Sequence, residues 1–161
     1  MGSDQKDFAH DVDYETIREW TEPFADWYYY PEFVIPPTPA GLPVDGVERT
    51  DVPMVYQIPG EDGWYCSFIG YDGTGYRSFV AESDDLLEWS NPRLAMERGP
   101  EGAFDYGGVV LGAYLYQSYD VDAPRVLERR DGQFWSLYGA YPRRGGAEHR
   151  PGYNGLATSA D

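Results

Sequence analysis

The chain is nearly without lysine. Lys6 is the single one and the other basic residues are arginines, so Lys and Arg total 12 against 28 Asp and Glu, for a formal net charge of −16. Phosphate backbones need a basic face, so nucleic acid is not an expected partner. An anionic membrane surface is disfavoured for the same reason. Such an acidic excess with so little Lys suggests a salt-adapted or Arg-biased proteome, and it bears on solvation rather than on fold. Cysteine is equally scarce: Cys66 stands alone, so no disulfide can form within the chain and the compartment is not revealed. Histidine appears only at His10 and His149, each in a polar stretch without a partner at metal-ligand spacing, so no metal is expected. Gly73 with Gly75, and Gly145 with Gly146, make no phosphate loop leading into a helix, and no cofactor is expected either. Long apolar runs and a secretory h-region are missing, which reads as a cytoplasmic chain unless a leader has been removed.

Aromatic residues are what the chain has in quantity, at 17% of 161 residues. They gather in short segments with β-branched neighbours, bounded by Gly, Asp or Pro, as in consecutive antiparallel strands. Strands are expected over 51–58, 63–69 and 77–82, with an outer strand over 93–96. Cys66 then falls inside a strand as a small core residue. The unit recurs. Asp105-Tyr-Gly-Gly-Val-Val-Leu matches Asp51-Val-Pro-Met-Val-Tyr-Gln at an offset of 54 (105 − 51). The Asp131-Gly segment matches the Asp62-Gly segment at 69 (131 − 62), and the run from Leu156 matches that from Val80 at 76 (156 − 80). A second set of strands follows over 105–116, 132–138 and 155–159. A period of this size with about four strands per copy reads as a propeller blade. The expected fold is all-β: blade one over about 45–100 and an incomplete blade two over about 101–161.

Residues 1–44 read as an arm. Asp13 can cap a helix whose Tyr14, Ile17 and Trp20 form one apolar stripe, ended by Pro23. Trp27-Tyr-Tyr-Tyr then enters an extended segment. In an extended chain Trp27 and Tyr29 face one way and Tyr28 and Tyr30 the other, which leaves one pair available to a ligand or simply packed on the sheet. Residues 36–44 are a Pro-rich connector. Two blades cannot close a ring and leave sheet edges bare. The expectation is a fragment of a longer protein, or a chain whose missing blades another chain supplies.

These segments resemble the five-bladed β-propeller glycoside hydrolases, the group of arabinanases, β-xylosidases, invertases, levansucrases and neoagarobiose hydrolases (family 43/32-like). The likeness rests on Asp51 opening the first strand before Pro53, on the Asp-Gly turn and aromatic strand at Trp64-Tyr65, and on Ala81 to Trp89. That last run looks like the "Ser-x-Asp-Leu-x-x-Trp" blade corner of the group. Val52 departs from the group's common Asp-Pro pair. The resemblance implies cleavage of a glycosidic bond in an oligo- or polysaccharide by carboxylates in the propeller funnel. It puts Asp51 at the general base or nucleophile and Asp105 at the same place in blade two, with no residue matching the general acid. Two carboxylates must flank the bond, about 5–5.5 Å apart for retention or 6.5–9.5 Å for inversion.

The plainer role for Asp51 is a turn residue bonded to its own backbone two residues on. Asp62 and Asp131 read as hairpin-turn residues, and Asp84 and Asp85 as solvated or turn-forming. Trp27, Tyr29, Tyr106 and Arg150 are the substrate-binding candidates. Arg143, Arg144 and Arg150 lie in the long insertion 142–151, either a solvated loop or a rim loop gripping hydroxyls or a carboxylate through Arg forks. The rival functions are a glycan-binding module without chemistry and a phosphorylase of related fold.

Overall fold

The computed structural model describes residues 31–36, 38–145 and 152–161. The chain divides into two compact units, Met1–Phe33 and Val34–Asp161, and the whole sheet structure belongs to the second. The helix expected from Asp13, the rings Trp27 to Tyr30, and Arg150 lie outside the described residues.

Eight strands run in order: β1 (Arg49–Tyr56), β2 (Trp64–Tyr71), β3 (Tyr76–Ser83), β4 (Ser90–Met96), β5 (Gly108–Tyr114), β6 (Arg129–Arg130), β7 (Gln133–Tyr141) and β8 (Tyr153–Ser159). The described residues contain no helix. None is therefore long and apolar enough to cross a membrane. The first four strands form an antiparallel meander, β1-β2-β3-β4. β5, β7 and β8 form a second one, with the short β6 hairpinned onto the start of β7. The two meanders touch through parallel bridges, Tyr76 with Gly108 at one end and Gln57 with Val126 at the other. This is a partial propeller: one four-stranded blade and most of a second.

Each expected strand is present, and the turns have their expected chemistry. Asp131 and Gly132 both have positive φ, 54° and 78°, as the two-residue loop between β6 and β7 requires. At the blade-one corner Asp85 Oδ1 accepts from the Leu87 and Glu88 amides, while Ser83 Oγ accepts from those of Asp85 and Leu86. Trp89 Nε1 closes the corner by donating to the Leu86 carbonyl at 3.2 Å.

β2 is the most buried strand, because both of its faces are covered. On one side Phe68 stacks with Phe79 at 5.7 Å beneath Val47, Ile35, Leu42 and Val44, so the connector is the lid of this small core. On the other side Met54, Tyr56, Tyr65 and Val80 meet Tyr114, Leu127 and Phe134 of blade two. Cys66 is 1% exposed, and burial pushes its thiol up to about 11.

The repeat survives in the hydrogen-bond ladders, with corrected offsets. Arg49 pairs with Tyr71 and Gly108 with Tyr141, which sets the first strands 59 apart (108 − 49) and the second strands 70 apart (141 − 71). The same map carries Met54–Ser67 onto Ala113–Leu137, and Val55–Cys66 onto Tyr114–Ser136. It superimposes the irregularity between Asp51 and Met54 on the one between Leu111 and Ala113. The third strands keep the offset of 76, since Trp64–Ser83 maps onto Phe134–Ser159. The offset of 69 aligned the two Asp-Gly turns, but Asp62-Gly63 runs directly into β2 whereas Asp131-Gly132 is the tip of a hairpin. One residue of slip moves every side chain of a strand to the other face.

In the corrected register the pair Phe68–Phe79 corresponds to Tyr138–Gly155. A Cβ at Gly155 would lie 2.2 Å from Tyr138 Cζ, so the missing side chain is what lets that ring lie across β8. Gly155→Ala should therefore destabilise by about 1–3 kcal/mol through overpacking. Phe79→Ala, at a position with no exposure, should cost about 3–5 kcal/mol. Urea unfolding measures both; wild-type stability in Gly155→Ala would refute the seating of the Tyr138 ring.

Candidate functional site

Asp51 sits on the edge strand β1, opposite Ile69. The two residues after it leave the ladder. Pro53 has no N–H to give it, and a residue preceding proline is pushed away from the right-handed helical region. Val52 takes a φ of 53°, an outlier for a β-branched residue. Strain of this kind costs about 1–3 kcal/mol and is held by its surroundings. The holding contact here is the Asp51 carboxylate, whose Oδ1 accepts from the Val52 amide at 2.7 Å. The backbone bond foreseen for Asp51 thus forms, one residue on rather than two. The side chain is exposed, and Oδ2 makes no hydrogen bond or ion pair among the described residues.

Asp105 stands elsewhere. The strand expected to open with it begins at Gly108, and Asp105 lies in the preceding turn, its carbonyl accepting from the Gly108 amide at 3.3 Å. In the corrected register the counterpart of Asp51 is Val110 (51 + 59), not Asp105. Asp105 is half-buried, and its Oδ2 accepts from the Tyr138 hydroxyl at 3.3 Å. Burial first, then the charge and hydrogen bond of Asp105, raise the Tyr138 phenol. No hydrogen bond or ion pair among the described residues joins Asp105 to Asp51. Tyr106 is half-buried beside it, with the Arg144 guanidinium 4.5 Å above its ring centre. Trp27, Tyr29 and Arg150 fall outside the described residues.

The sequence reading missed the centre of this end of the sheets. Asp72 follows β2 in the turn to β3. Its Oδ1 accepts from the Thr74 amide and hydroxyl and from the Gly75 amide, at 3.0, 2.7 and 2.9 Å. Its Oδ2 accepts from Arg77 and, at 2.8 Å, from Arg98. Arg77 Nε in turn binds Glu97 at 2.8 Å. The Arg98 and Asp72 side chains are 7% and 12% exposed. The signal was available: an Asp two residues before Thr in a Gly-rich turn is an Asx-turn pattern.

The same end holds the starts of β1 and β5. Arg49 pairs with Tyr71, Thr74 O accepts from the Gly145 amide at 2.8 Å, and Tyr141 O accepts from the Gly107 amide at 2.6 Å. Asp51, Asp72, Asp105 and Tyr106 therefore lie on one rim, together with a row of tyrosines. Tyr71 and Tyr76 are 5.1 Å apart, and Tyr76 and Tyr141 6.1 Å, between ring centres. Among the described residues no group of His, Cys, Asp and Glu could hold a metal ion.

Solved structures share this fold. One, described as "Glycoside hydrolase", matches 74% of this chain and 35% of its own at 25% identity, with a TM-score of 0.60. Another, from a complex of BT0996 and RGII, matches 70% of this chain and 33% of its own at 25% identity, with a TM-score of 0.56. The chain spans about a third of the length of each. No protein-family model and no curated protein matches it. The architecture is that of a glycoside hydrolase fold, at low identity and over part of the neighbours' length.

Burial alone would raise the Asp72 carboxyl, but the hydrogen bonds from Thr74 and Arg77 and the charge of Arg98 outweigh it and hold the group well below the usual carboxylate range. A depressed folded value means that the stabilisation is present in full above the unfolded value, about 3.9, and is lost as pH falls through the folded one. Asp72→Asn should lower stability by about 2–3 kcal/mol at neutral pH, because it leaves two arginines without their shared anion. The gap between variant and wild type should stay constant above about pH 5 and narrow below about pH 4. Urea midpoints against pH measure this, and a gap that does not narrow in acid would rule out the linkage.

Proposed function

We propose that this chain is part of a glycoside hydrolase of the five-bladed propeller type, cleaving a glycosidic bond in an oligo- or polysaccharide with Asp51 as general base or nucleophile. The observation that carries the reading is the Asp51 carboxylate itself. It is exposed on the first strand of blade one, at a strained bulge, in a chain whose fold is similar to that of a glycoside hydrolase. A base needs a free lone pair and a fixed position. Oδ2 has the first, and the Oδ1 bond to Val52 gives the second. Asp105, with Tyr106, is the substrate-orienting partner in this reading, held by Tyr138. The general acid comes from a further blade.

The corrected register supports such a blade. Met54, Tyr65 and Val80, which receive blade two, correspond to Ala113, Trp135 and Leu156 on the outer face of blade two. Those three line a groove of about 680 Å³ with Leu137, and Leu137 and Leu156 are 50% and 60% exposed. An equivalent sheet seated there, from the parent chain or from another chain, would continue the ring.

Asp51→Asn keeps the shape and removes the base. In the whole enzyme it should cut kcat by about 10²–10⁴-fold, read as reducing sugar released per enzyme. A loss of only a few-fold would exclude Asp51 as base or nucleophile. The competing reading, a glycan-binding module, is favoured by the lack of any described contact between Asp51 and a second carboxylate. It predicts saturable binding with no sugar released by the intact protein.

A further inference from the structure

The charges on the rim are distributed against the trend of the chain. With 28 acidic residues for 12 basic ones, a surface arginine has an abundance of carboxylates to pair with. Most arginines elsewhere are used. Arg93 pairs with Glu82 and Arg130 with Glu128, Arg77 and Arg98 are held by Asp72, and Arg125 and Arg129 donate to backbone carbonyls. Arg49 and Arg144 differ. Neither makes a hydrogen bond or an ion pair among the described residues; each guanidinium lies 4.5 Å from the centre of a tyrosine ring, Tyr71 and Tyr106 respectively.

Stacking on a ring fixes the plane of a guanidinium and leaves its N–H fork pointing outward, the arrangement suited to bidentate carboxylate recognition. Between the two arginines runs the row Tyr71, Tyr76 and Tyr141, all half-buried. Such ring faces can cover a pyranose while their hydroxyls meet polar partners. The Asp51 carboxylate and that of Glu48, whose Oε1 lies near Gly73, share this end and would repel an anion not held by a cation.

From this juxtaposition we infer that the rim is a subsite for an acidic glycan, with Arg49 and Arg144 gripping uronate carboxylates and the tyrosine row carrying the sugar rings between them. The inference rests on the glycan reading above and adds the substrate class.

The test is calorimetric titration of the 161-residue chain with an oligogalacturonate and with its methyl ester, which keeps the rings and removes the charge. The acid should bind about tenfold or more tightly than the ester, as expected for charge-assisted hydrogen bonds. Arg49→Gln with Arg144→Gln should erase the preference while leaving ester affinity unchanged. The preference should also shrink as salt is raised from about 0.1 to 1 M. Equal binding of acid and ester would overturn the inference and leave the glycan reading standing. Binding of neither sugar, nor of neutral oligosaccharides, would overturn both. Equal weakening of acid and ester in the double variant would reduce the arginines to supports for the tyrosines and would also overturn it.

Discussion

The contact on which the rest depends is the meeting of Tyr56 and Tyr114, ring centres 4.9 Å apart, between the two blades. Leu127 and Phe134 complete the buried cluster and Tyr65 flanks it. These side chains reach one another only because each strand presents alternate residues to one side. Burial pushes the Tyr114 phenol up to about 12 and that of Tyr56 higher still, so both rings stay neutral in the interface over the ordinary pH range. With the faces joined here, the parallel bridges at either end follow, and the starts of β1 and β5 come to the same rim.

Much of this was legible in the residues. The strands announced themselves by aromatic and β-branched runs between turn residues, and Asp131-Gly132 and Ser83 to Trp89 carried turn chemistry that the backbone obeys. What the residues did not reveal was register. Asp105 and Asp51 both precede hydrophobic runs, so they matched as letters. Hydrogen bonding aligns Asp51 with Val110 instead, because the ladder offset is 59 where the letters gave 54. Turns are local and can be read locally; a ladder is a long-range agreement between strands.

The rim shows the same division. Asp51 could be singled out as an acid at the head of a strand. The Asp72 cluster could not be read in full, because Arg98 lies 26 residues away in sequence and becomes a partner only once β3 and β4 have turned back. Its anion is consumed by structure, which distinguishes it from Asp51. An acid with every lone pair occupied holds a turn in place, and an acid with one oxygen free can take part in chemistry. Exposure and partner count separate these roles where residue type does not.

Cys66 has a further consequence. Its sulfur is enclosed at the middle of the most protected strand, and the thiol resists ionisation at neutral pH. An alkylating reagent can reach it only when β2 separates from its neighbours. The chain thus carries its own single-site clock for the opening of the first sheet, with no second thiol to blur the signal.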